Sequence, residues 1–220
     1  MRLAIFDLDH TLIGGDSDQV WGDFLAESGL VDGDAYKAQV SAFYQDYMAG
    51  TLDIHAHLSH SLAPLSRFSM AELDSLHRDY FAQKVLPLLQ PKAHQLLQWH
   101  RQQGHYLLII TATNRFITAP IAEYLGVDDL IACEAEIIDN RYTGRPTGVP
   151  SYREGKVTRL QEWLRQHPEL SLEGSYFYSD SHNDLPLLER ASQPVAVDPD
   201  DVLKQVATER GWSIISLRAD

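Results

Sequence analysis

Short apolar runs of strand length alternate with longer helix-like stretches over most of the chain. The runs at 3–6, 106–110 and 176–178 contain only apolar or aromatic residues, and a polar residue follows each of them. Unbroken runs of this length are typical of strands that are buried on both faces. Strands of this kind that alternate with helices form a parallel sheet whose faces the helices cover. The pattern therefore predicts an α/β fold.

Residues 14–85 interrupt this alternation, because their pattern predicts helices separated by turns. Ser69 and Glu72 form the S-x-x-E pattern of a capping box, in which the two side chains satisfy free backbone N–H groups at a helix start. The helices predicted in this segment run over 20–28 and 34–49, from Thr51 and from Ser69. We therefore predict a helical cap domain at 14–85, inserted into an α/β core domain with a Rossmann-like parallel sheet, formed by 1–13 and 86–220.

The second half of the chain returns to alternating strands and helices. Pro91 fits the first turn of a helix, Gly104 fits its end, and Asp139-Asn140 fits the turn of a small hairpin. Strands are predicted at 106–111, 130–138, 141–143, 176–179, 194–197 and 212–215. Helices are predicted at 91–103, 118–125, 155–166, 184–191 and from Asp201.

The chain is acidic: 18 Lys and Arg residues stand against 31 Asp and Glu residues, a net charge of −13 over 220 residues. This sign argues against binding to nucleic acid or to an anionic membrane surface. A small phosphorylated ligand is still compatible, because a bound metal ion reverses the local charge. The single cysteine excludes a disulfide within the chain, and no apolar run approaches the ~20 residues of a membrane span. We expect a cytoplasmic protein that binds neither nucleic acid nor membranes.

Polar residues cluster directly after three of the predicted strands. The clusters are Asp7–Thr11, Thr111–Thr113 and Asp180–Asp184. Each cluster alone is more often an ordinary turn, since Asp and Asn are common turn formers. In an open parallel sheet, however, ligands bind in a crevice beyond the carboxyl ends of the strands. Three such clusters together predict a binding site at this edge.

Four aspartates of these clusters, Asp7, Asp9, Asp180 and Asp184, would bring several negative charges into one crevice. Such carboxylates repel one another unless they are protonated or bridged by a cation. Hard oxygen ligands without cysteine or paired histidine favour Mg²⁺, which also binds substrate phosphate. A phosphate dianion would need a protein cation as well. Lys156, at a predicted helix start, is the candidate, although a lone lysine more often lies on a solvated helix face.

The order of these residues resembles the four motifs of the haloacid dehalogenase-like hydrolases: Asp7-x-Asp9-x-Thr11, Thr111, Lys156 and Asp180-x-x-Asn183-Asp184. The helical insertion after the first motif resembles the cap of the phosphoserine phosphatase-like branch. Two motifs depart from that branch, since Thr111-Ala112-Thr113 replaces its usual Ser-Gly-Gly and Ser179-Asp180-Ser181 replaces Gly-Asp-Gly. The chain is more similar to bacterial members labelled histidinol-phosphatases.

The resemblance implies a role for each matching residue. Asp7 would be the nucleophile that forms an aspartyl-phosphate, and Asp9, on the same side of an extended segment, the general acid and base. Thr111 would donate a hydrogen bond to a phosphoryl oxygen, and Lys156 would neutralise Asp7 and the phosphoryl group. The implied Mg²⁺ ligands are the carboxylates of Asp7 and Asp180, the backbone carbonyl of Asp9 and, directly or through water, Asp184.

Further residues are predicted to contact the substrate: Thr11, Asp16, Asp18, Arg67 and Asn183. Asp16 and Asp18 stand where the chain enters the predicted cap. Carboxylates at this place favour a cationic or hydroxyl-bearing group of the substrate and repel a second anion. The alternative for these two acids is a solvated surface of the cap. An inward-turned Arg67 would serve a substrate that carries a carboxylate.

These residues predict a Mg²⁺-dependent phosphatase that hydrolyses a small phosphorylated metabolite. The predicted substrate is an amino-alcohol phosphate such as histidinol phosphate or phosphoserine. A phosphotransferase or mutase of the same family, which passes the phosphoryl group to another alcohol, fits the same residues. A phospho-accepting receiver-like signalling module is the alternative from a different class, although such modules lack an acid two residues after the phosphorylated aspartate. The sequence predicts no oligomeric state.

Three closely spaced histidines, His55, His57 and His60, suggest a zinc site as a further alternative. Only His57 and His60 would share a helical face, and no cysteine or acid completes a ligand set. The zinc alternative is therefore the weaker interpretation.

Overall fold

The computed structural model describes residues 1–218, and a seven-stranded sheet forms the centre of this part of the chain. The order is β4-β3-β2-β1-β5-β6-β7, and all neighbouring strands pair in parallel except β3 and β4. The strands are β1 Leu3–Phe6, β2 Tyr106–Asn114, β3 Asp129–Ile138, β4 Arg141–Thr147, β5 Tyr176–Ser179, β6 Gln193–Val197 and β7 Ser213–Ile215. β3 and β4 form the predicted hairpin, whose turn residues Asp139 and Asn140 have φ angles of 49° and 58°. The mostly parallel sheet confirms the predicted α/β fold class.

Helices form the long connection between β1 and β2. They are α1 Ser17–Glu27, α2 Gly33–Met48, α3 Ile54–Leu62, α4 Met70–Tyr80 and α5 Pro91–Gln102, with 3₁₀ turns at 63–67 and 86–88 and a π-helical turn at 81–85. The predicted capping box is present at α4, where Ser69 Oγ accepts from the Glu72 N–H and Glu72 Oε2 accepts from the Ser69 N–H. α1 starts earlier than the predicted 20–28, because Asp16 Oδ1 accepts from the Gln19 N–H at 2.8 Å and caps the helix.

The two ends of this helical connection meet beside the sheet. Ile13 and Leu89 form an isolated antiparallel bridge, and the Gly14 N–H donates to the Leu88 carbonyl at 2.7 Å. A side chain at Gly14 would lie 2.1 Å from Gln90 Nε2 and 3.4 Å from the Leu88 carbonyl oxygen, so a larger residue here would displace the Gln90 side chain. The helical segment therefore leaves the sheet and returns to it at one point.

The rest of the chain alternates strands with the helices α6 Arg115–Leu125, α7 Glu154–Gln166, α8 Leu185–Leu188 and α9 Asp201–Arg210. β2 continues to Asn114, past its predicted end, and α6 starts at Arg115, before its predicted start. Asn114 explains both shifts, because its Oδ1 accepts a hydrogen bond from the Ile117 N–H at 3.2 Å and caps the helix. The last residues of β2 are therefore continuous with the start of α6.

Alternate residues of β1 face two apolar layers. Ala4 and Phe6 pack into the layer that includes the helical connection and α6, whereas Leu3 and Ile5 pack into the layer with α7, α8 and α9. All four side chains are fully buried, and burial of each large one contributes about 1.5–3 kcal/mol. The two layers fix β1, so the residues that follow it leave the sheet at a defined edge.

None of the helices within residues 1–218 has the length and apolar character that crossing a membrane requires.

Candidate active site

A cavity lies at the carboxyl ends of β1, β2 and β5, and helices α1, α2 and α3 contribute its other wall. From the sheet side it is lined by Asp7, Asp9, His10, Thr111, Ala112, Thr113 and Asp180. From the helical side it is lined by Asp16, Asp18, Gln19, Val40, Phe43, Tyr44, Tyr47, Leu52, Ile54 and His57. The cavity thus brings together residues of all three polar clusters, and none of its lining residues within 1–218 is an arginine or a lysine.

Lys156 lies behind Asp7 and joins it to Asp184. Its Nζ donates to Asp7 Oδ1 at 2.7 Å and to Asp184 Oδ2 at 2.8 Å, and all three side chains are buried. At the start of α7, Gly155 packs against the Pro150 carbonyl, and a side chain there would lie 2.0 Å from its oxygen. Burial alone lowers the pKa of the Lys156 ammonium, but the charges of Asp184 and Asp7 reverse this and raise the pKa above its ordinary value. The lysine therefore stays charged.

The charged neighbours of the buried Asp7 carboxyl shift its pKa in opposite directions. Burial raises the pKa of Asp7 to about 7, against the charge of Lys156 and with the like charges of Asp184 and Asp9. A second cation at this carboxylate would favour its charged form and return the pKa toward the ordinary range.

Asp9 has donors at both carboxyl oxygens. Oδ1 accepts from the Ser17 N–H at 2.7 Å, at the start of α1, and Oδ2 accepts from Thr113 Oγ1 at 2.8 Å. Burial and the nearby Asp16 raise the pKa of Asp9 to about 6, although these hydrogen bonds favour its charged form. Thr113 belongs to the second polar cluster, but the family resemblance implies no role for it. The signal was available, because Thr111 and Thr113 are two residues apart on one strand and face the same side.

Asp180 is held by Thr11. Thr11 Oγ1 donates to Asp180 Oδ1 at 2.9 Å, and the Asp180 N–H donates back to Thr11 Oγ1 at 3.1 Å. Burial, followed by the charges of Asp7 and Asp184, raises the pKa of Asp180 well above its ordinary value. Asp7 and Asp180 thus share a site in which their negative charges are only partly balanced.

The donors at this place fit a hard divalent cation. Asp7 and Asp180 supply carboxylate oxygens at the cavity, and a cation would offset the burial and the like charges that raise the pKa values of both groups. Within residues 1–218, no three His, Cys, Asp or Glu side chains are grouped so that they could hold a metal ion together. A set of two carboxylates and the Asp9 carbonyl is compatible with this finding. Asp184 instead accepts from Lys156 and, at 2.6 Å, from Ser179 Oγ.

The helical wall carries a half-buried carboxylate, Asp16, a buried carboxylate, Asp18, and one histidine, His57. Asp18 Oδ1 accepts a hydrogen bond from Ser61 Oγ, and Asp18 Oδ2 lies 3.4 Å from His57 Nε2. Burial and the charge of Asp18 raise the pKa of Asp16. The alternative for these two acids is a position on a solvated surface of the predicted cap. Both acids instead line the cavity.

Three of the predicted substrate contacts are not brought to the cavity. Thr11 is fully buried against Asp180, and Asn183 Nδ2 donates to the Tyr47 carbonyl at 3.0 Å. Arg67 Nη1 donates to the Leu30 carbonyl at 2.7 Å. Thr11, Asn183 and Arg67 thus lie outside the cavity lining, and each of them forms a hydrogen bond with another part of the chain.

Residues 4–189 match the family model of the haloacid dehalogenase-like hydrolases. The chain belongs to this family, which confirms the predicted resemblance and the prediction of an enzyme, a hydrolase. The match also favours an enzyme over the receiver-like signalling module.

Several known proteins are similar to this chain over nearly its whole length. The chain is 46% identical to a histidinol-phosphatase of Neisseria meningitidis serogroup C, over 99% of both chains. It is 31% identical to phosphoserine phosphatase SerB1 of Mycobacterium tuberculosis, over 98% of this chain and 70% of that protein. A crystal structure of a protein of unknown function from Bordetella pertussis superposes with a TM-score of 0.91 at 41% identity, over 98% of both chains. A phospho-aspartyl intermediate analogue of phosphoserine phosphatase shares the fold at 17% identity, with a TM-score of 0.72 over 100% of this chain and 94% of that one.

Proposed function

We propose that this hydrolase is a Mg²⁺-dependent phosphatase that transfers the phosphoryl group of a small phosphomonoester first to Asp7 and then to water. The observation that carries the proposal is the pairing of a buried aspartate, Asp7, with a half-buried one, Asp9, at one cavity. Lys156 Nζ holds Asp7 Oδ1 at 2.7 Å, and Thr113 Oγ1 holds Asp9 Oδ2 at 2.8 Å. The lysine favours the anionic form of its partner, which a nucleophile requires, while the second carboxyl is available for proton transfer.

In the first half of the reaction, an Asp7 oxygen attacks phosphorus and the bond to the substrate alkoxide breaks. Asp9 gives its proton to the departing oxygen. In the second half, Asp9 takes a proton from water, and the resulting hydroxide displaces Asp7 from phosphorus. A pKa of about 6 suits Asp9 for both tasks near neutral pH, because neither protonation state is strongly disfavoured.

Thr111 and Lys156 would hold the phosphoryl group during these steps. Thr111 Oγ1 accepts from the Thr113 N–H at 3.1 Å, so its own O–H is available to donate to a phosphoryl oxygen. Lys156 adds a fixed positive charge beside Asp7. Such positioning and electrostatic stabilisation supply most of the catalysis in phosphoryl transfer.

The Mg²⁺ ion would be held by the carboxylates of Asp7 and Asp180 and by the Asp9 carbonyl, with Asp184 in support. The ion supplies charge neutralisation for the phosphoryl oxygens. Thr11 fixes Asp180 through two hydrogen bonds, and Lys156 fixes Asp184. Each carboxylate of the set is therefore held in place by the chain itself.

We also propose that residues 14–85 form a cap domain over a core domain of 1–13 and 86–220. The chain enters and leaves the 14–85 segment next to the Ile13–Leu89 bridge. Within this segment, Phe43, Tyr47 and His57 line the cavity opposite the sheet. The cap would therefore contact the part of the substrate that carries no phosphate.

The substrate we propose is an amino-alcohol phosphate, with histidinol phosphate as the leading candidate. Asp16 and Asp18 present negative charge to the substrate, and a substrate ammonium would be attracted while a carboxylate would be repelled. Because none of the described cavity-lining residues is an arginine or a lysine, a substrate carboxylate has no guanidinium or lysine ammonium partner from the helical wall. Phosphoserine is therefore expected to be a poor substrate. The name of the Neisseria relative supports histidinol phosphate.

The cellular setting follows from the composition. A single cysteine and a net charge of −13 favour a reducing cytoplasm and a small-molecule substrate over nucleic acid or a membrane surface.

A phosphate-release panel with Mg²⁺ tests the proposed function. We expect histidinol phosphate and phosphoethanolamine to give the highest kcat/KM, phosphoserine a lower value, and sugar phosphates and nucleotides the lowest. Release should stop in chelator and return with Mg²⁺, while Ca²⁺ should replace it poorly because its larger, looser shell misplaces the phosphoryl group. Full activity in chelator would overturn the metal site, and a panel led by nucleotides or sugar phosphates would overturn the substrate class.

A further inference from the structure

One histidine of the cavity has no role in the chemistry described above. His57, on α3, lines the cavity, and its Nε2 lies 3.4 Å from Asp18 Oδ2. Its other ring nitrogen, Nδ1, is buried and has no hydrogen-bond partner among the described residues. A buried polar atom without a partner is unfavourable in the free protein. A ligand atom that pairs with it removes this cost.

The neighbouring carboxylate is fixed from the side of the sheet. Asp18 Oδ1 accepts from Ser61 Oγ, and Ser61 Oγ accepts from Asn114 Nδ2 at 3.2 Å. Asn114 is the last residue of β2, the strand that carries Thr111 and Thr113. The hydrogen-bonded chain therefore sets how far Asp18 lies from the residues proposed to hold the phosphoryl group.

The neighbour of Nε2 favours one tautomer of His57. In a neutral imidazole, a proton on Nε2 faces the Asp18 carboxylate, whose Oδ2 lies 3.4 Å away, and Nδ1 then carries the lone pair. A lone pair beside a buried carboxylate accepts hydrogen bonds from a positively charged donor better than from any other group. Phe43, whose ring lies 5.2 Å from that of His57 in an edge-on arrangement, makes the same wall apolar.

We propose that His57 and Asp18 together form the subsite that selects an ammonium group on the alcohol part of the substrate, with His57 Nδ1 accepting one of its N–H bonds. This assignment rests on the proposed phosphatase function. His57 is a specificity-determining residue in this account, and the phosphoryl chemistry proceeds without it.

The chain offers a matched control on the same helix. His60 packs against Tyr36, with ring centroids 4.4 Å apart, and does not line the cavity. Its Nε2 is also buried without a partner among the described residues. A substitution at His60 therefore perturbs α3 while both residues of the proposed subsite, His57 and Asp18, stay in place.

The test compares phosphoethanolamine with ethyl phosphate, which lacks the ammonium group. In His57→Phe, we expect kcat/KM for phosphoethanolamine to fall at least about tenfold, mainly through KM, and that for ethyl phosphate to stay within about twofold. His57→Gln, whose amide oxygen can accept a hydrogen bond, should recover part of the loss. His60→Asn should keep the wild-type ratio of the two substrates.

The possible failures are distinguishable. A wild-type enzyme that hydrolyses neither ester contradicts the proposed phosphatase function. An active wild type without preference for the amine, or a His57→Phe variant with the wild-type preference, overturns the ammonium subsite. The ammonium subsite is also overturned if His57→Phe and His60→Asn each lower kcat/KM for phosphoethanolamine and for ethyl phosphate by the same factor.

Discussion

Lys156 is buried between two carboxylates, and its charge is needed for stability as well as for chemistry. We expect Lys156→Gln to lower the free energy of unfolding by about 3 kcal/mol in chelator, because two buried carboxylates lose their cation. Urea unfolding followed by circular dichroism measures the change. Lys204→Gln, on an exposed position of α9, is the control and should leave the curve unchanged. A Lys156→Gln protein as stable as the control would contradict the charge balance described here.

Asp9 carries the acid role, and leaving-group chemistry tests it. We expect Asp9→Asn to reduce kcat by a factor of about 10²–10⁴ for alkyl phosphates, which leave as poorly stabilised alkoxides. Aryl phosphates should lose much less, since an aryl oxide departs with little need of a proton. Steady-state kinetics on matched alkyl and aryl esters gives the two losses. Equal losses on both classes would argue against Asp9 as the acid.

At the residue scale, positions set by the local pattern were predictable and positions set by tertiary contacts were not. Asp7, Asp9 and Thr111 follow apolar runs directly, so the pattern of strands locates them at the cavity. The position of Arg67 was not predictable, because its hydrogen bond to the Leu30 carbonyl depends on how two distant helical segments pack. His57 was considered only as a zinc ligand, since nothing in the sequence indicates that Asp18 would be its neighbour.

The capping box at the start of α4 stabilises the helix. Ser69 and Glu72 make a reciprocal pair, with the Ser69 N–H donating to Glu72 Oε2 at 2.7 Å. We expect Ser69→Ala to lower the free energy of unfolding by about 1 kcal/mol while phosphate release stays at the wild-type rate, because Ser69 does not line the cavity. Chemical denaturation and a phosphate assay provide both readouts. Ser69→Thr, which retains the hydroxyl, should be close to wild type, and a Ser69→Ala protein of unchanged stability would contradict the contribution of the cap.

At the element scale, caps were the most predictable features when their sequence pattern was complete. The capping box of α4 has both members in the sequence, and its position was predicted correctly. The boundary between β2 and α6 was misplaced by three residues, because Asn114 acts as a cap without a glutamate three positions later. The same residue also donates to Ser61, a contact that no local pattern encodes.

Stability of the whole molecule should depend on pH through a buried histidine. Burial lowers the pKa of His100 to about 4, and its Nε2 lies 2.9 Å from Tyr178 Oη. The unfolded chain binds this proton near pH 6.5, so the free energy of unfolding should fall as the pH decreases from about 6.5 to 4, by up to about 1.4 kcal/mol per unit. His100→Gln keeps a partner for Tyr178 and removes this dependence.

The difference between wild type and His100→Gln isolates the histidine. Asp7 and Asp9, whose pKa values are raised to about 7 and about 6, act with the opposite sign, because the folded state then binds protons that the unfolded state releases. Their contribution is the same in both proteins and cancels. Urea unfolding from pH 4 to 7 should show a flatter profile for the variant, and parallel profiles would contradict the low pKa of His100.

At the scale of the whole molecule, the class of fold was predictable and its arrangement was not. Alternating strands and helices predict a mostly parallel sheet, which is what β1, β2 and β5 form. The strand order depends on which strand each new strand pairs with after its connection crosses the sheet. The hydrophobic pattern does not encode this choice. The convergence of the strand ends on one cavity was predictable only because parallel strands have a common carboxyl edge.

The central claim is that Asp7 becomes phosphorylated during turnover, and trapping the intermediate tests it most directly. The Asp9→Asn variant, with Mg²⁺ and an aryl phosphate, should accumulate the aspartyl-phosphate because no base activates water for its hydrolysis. After acid quench and digestion, mass spectrometry should find one phosphoryl group on the peptide that contains Asp7, and none in a variant that also carries Asp7→Asn. A phosphoryl group on another residue, or turnover by the Asp7→Asn protein at the rate of its parent, would contradict the account.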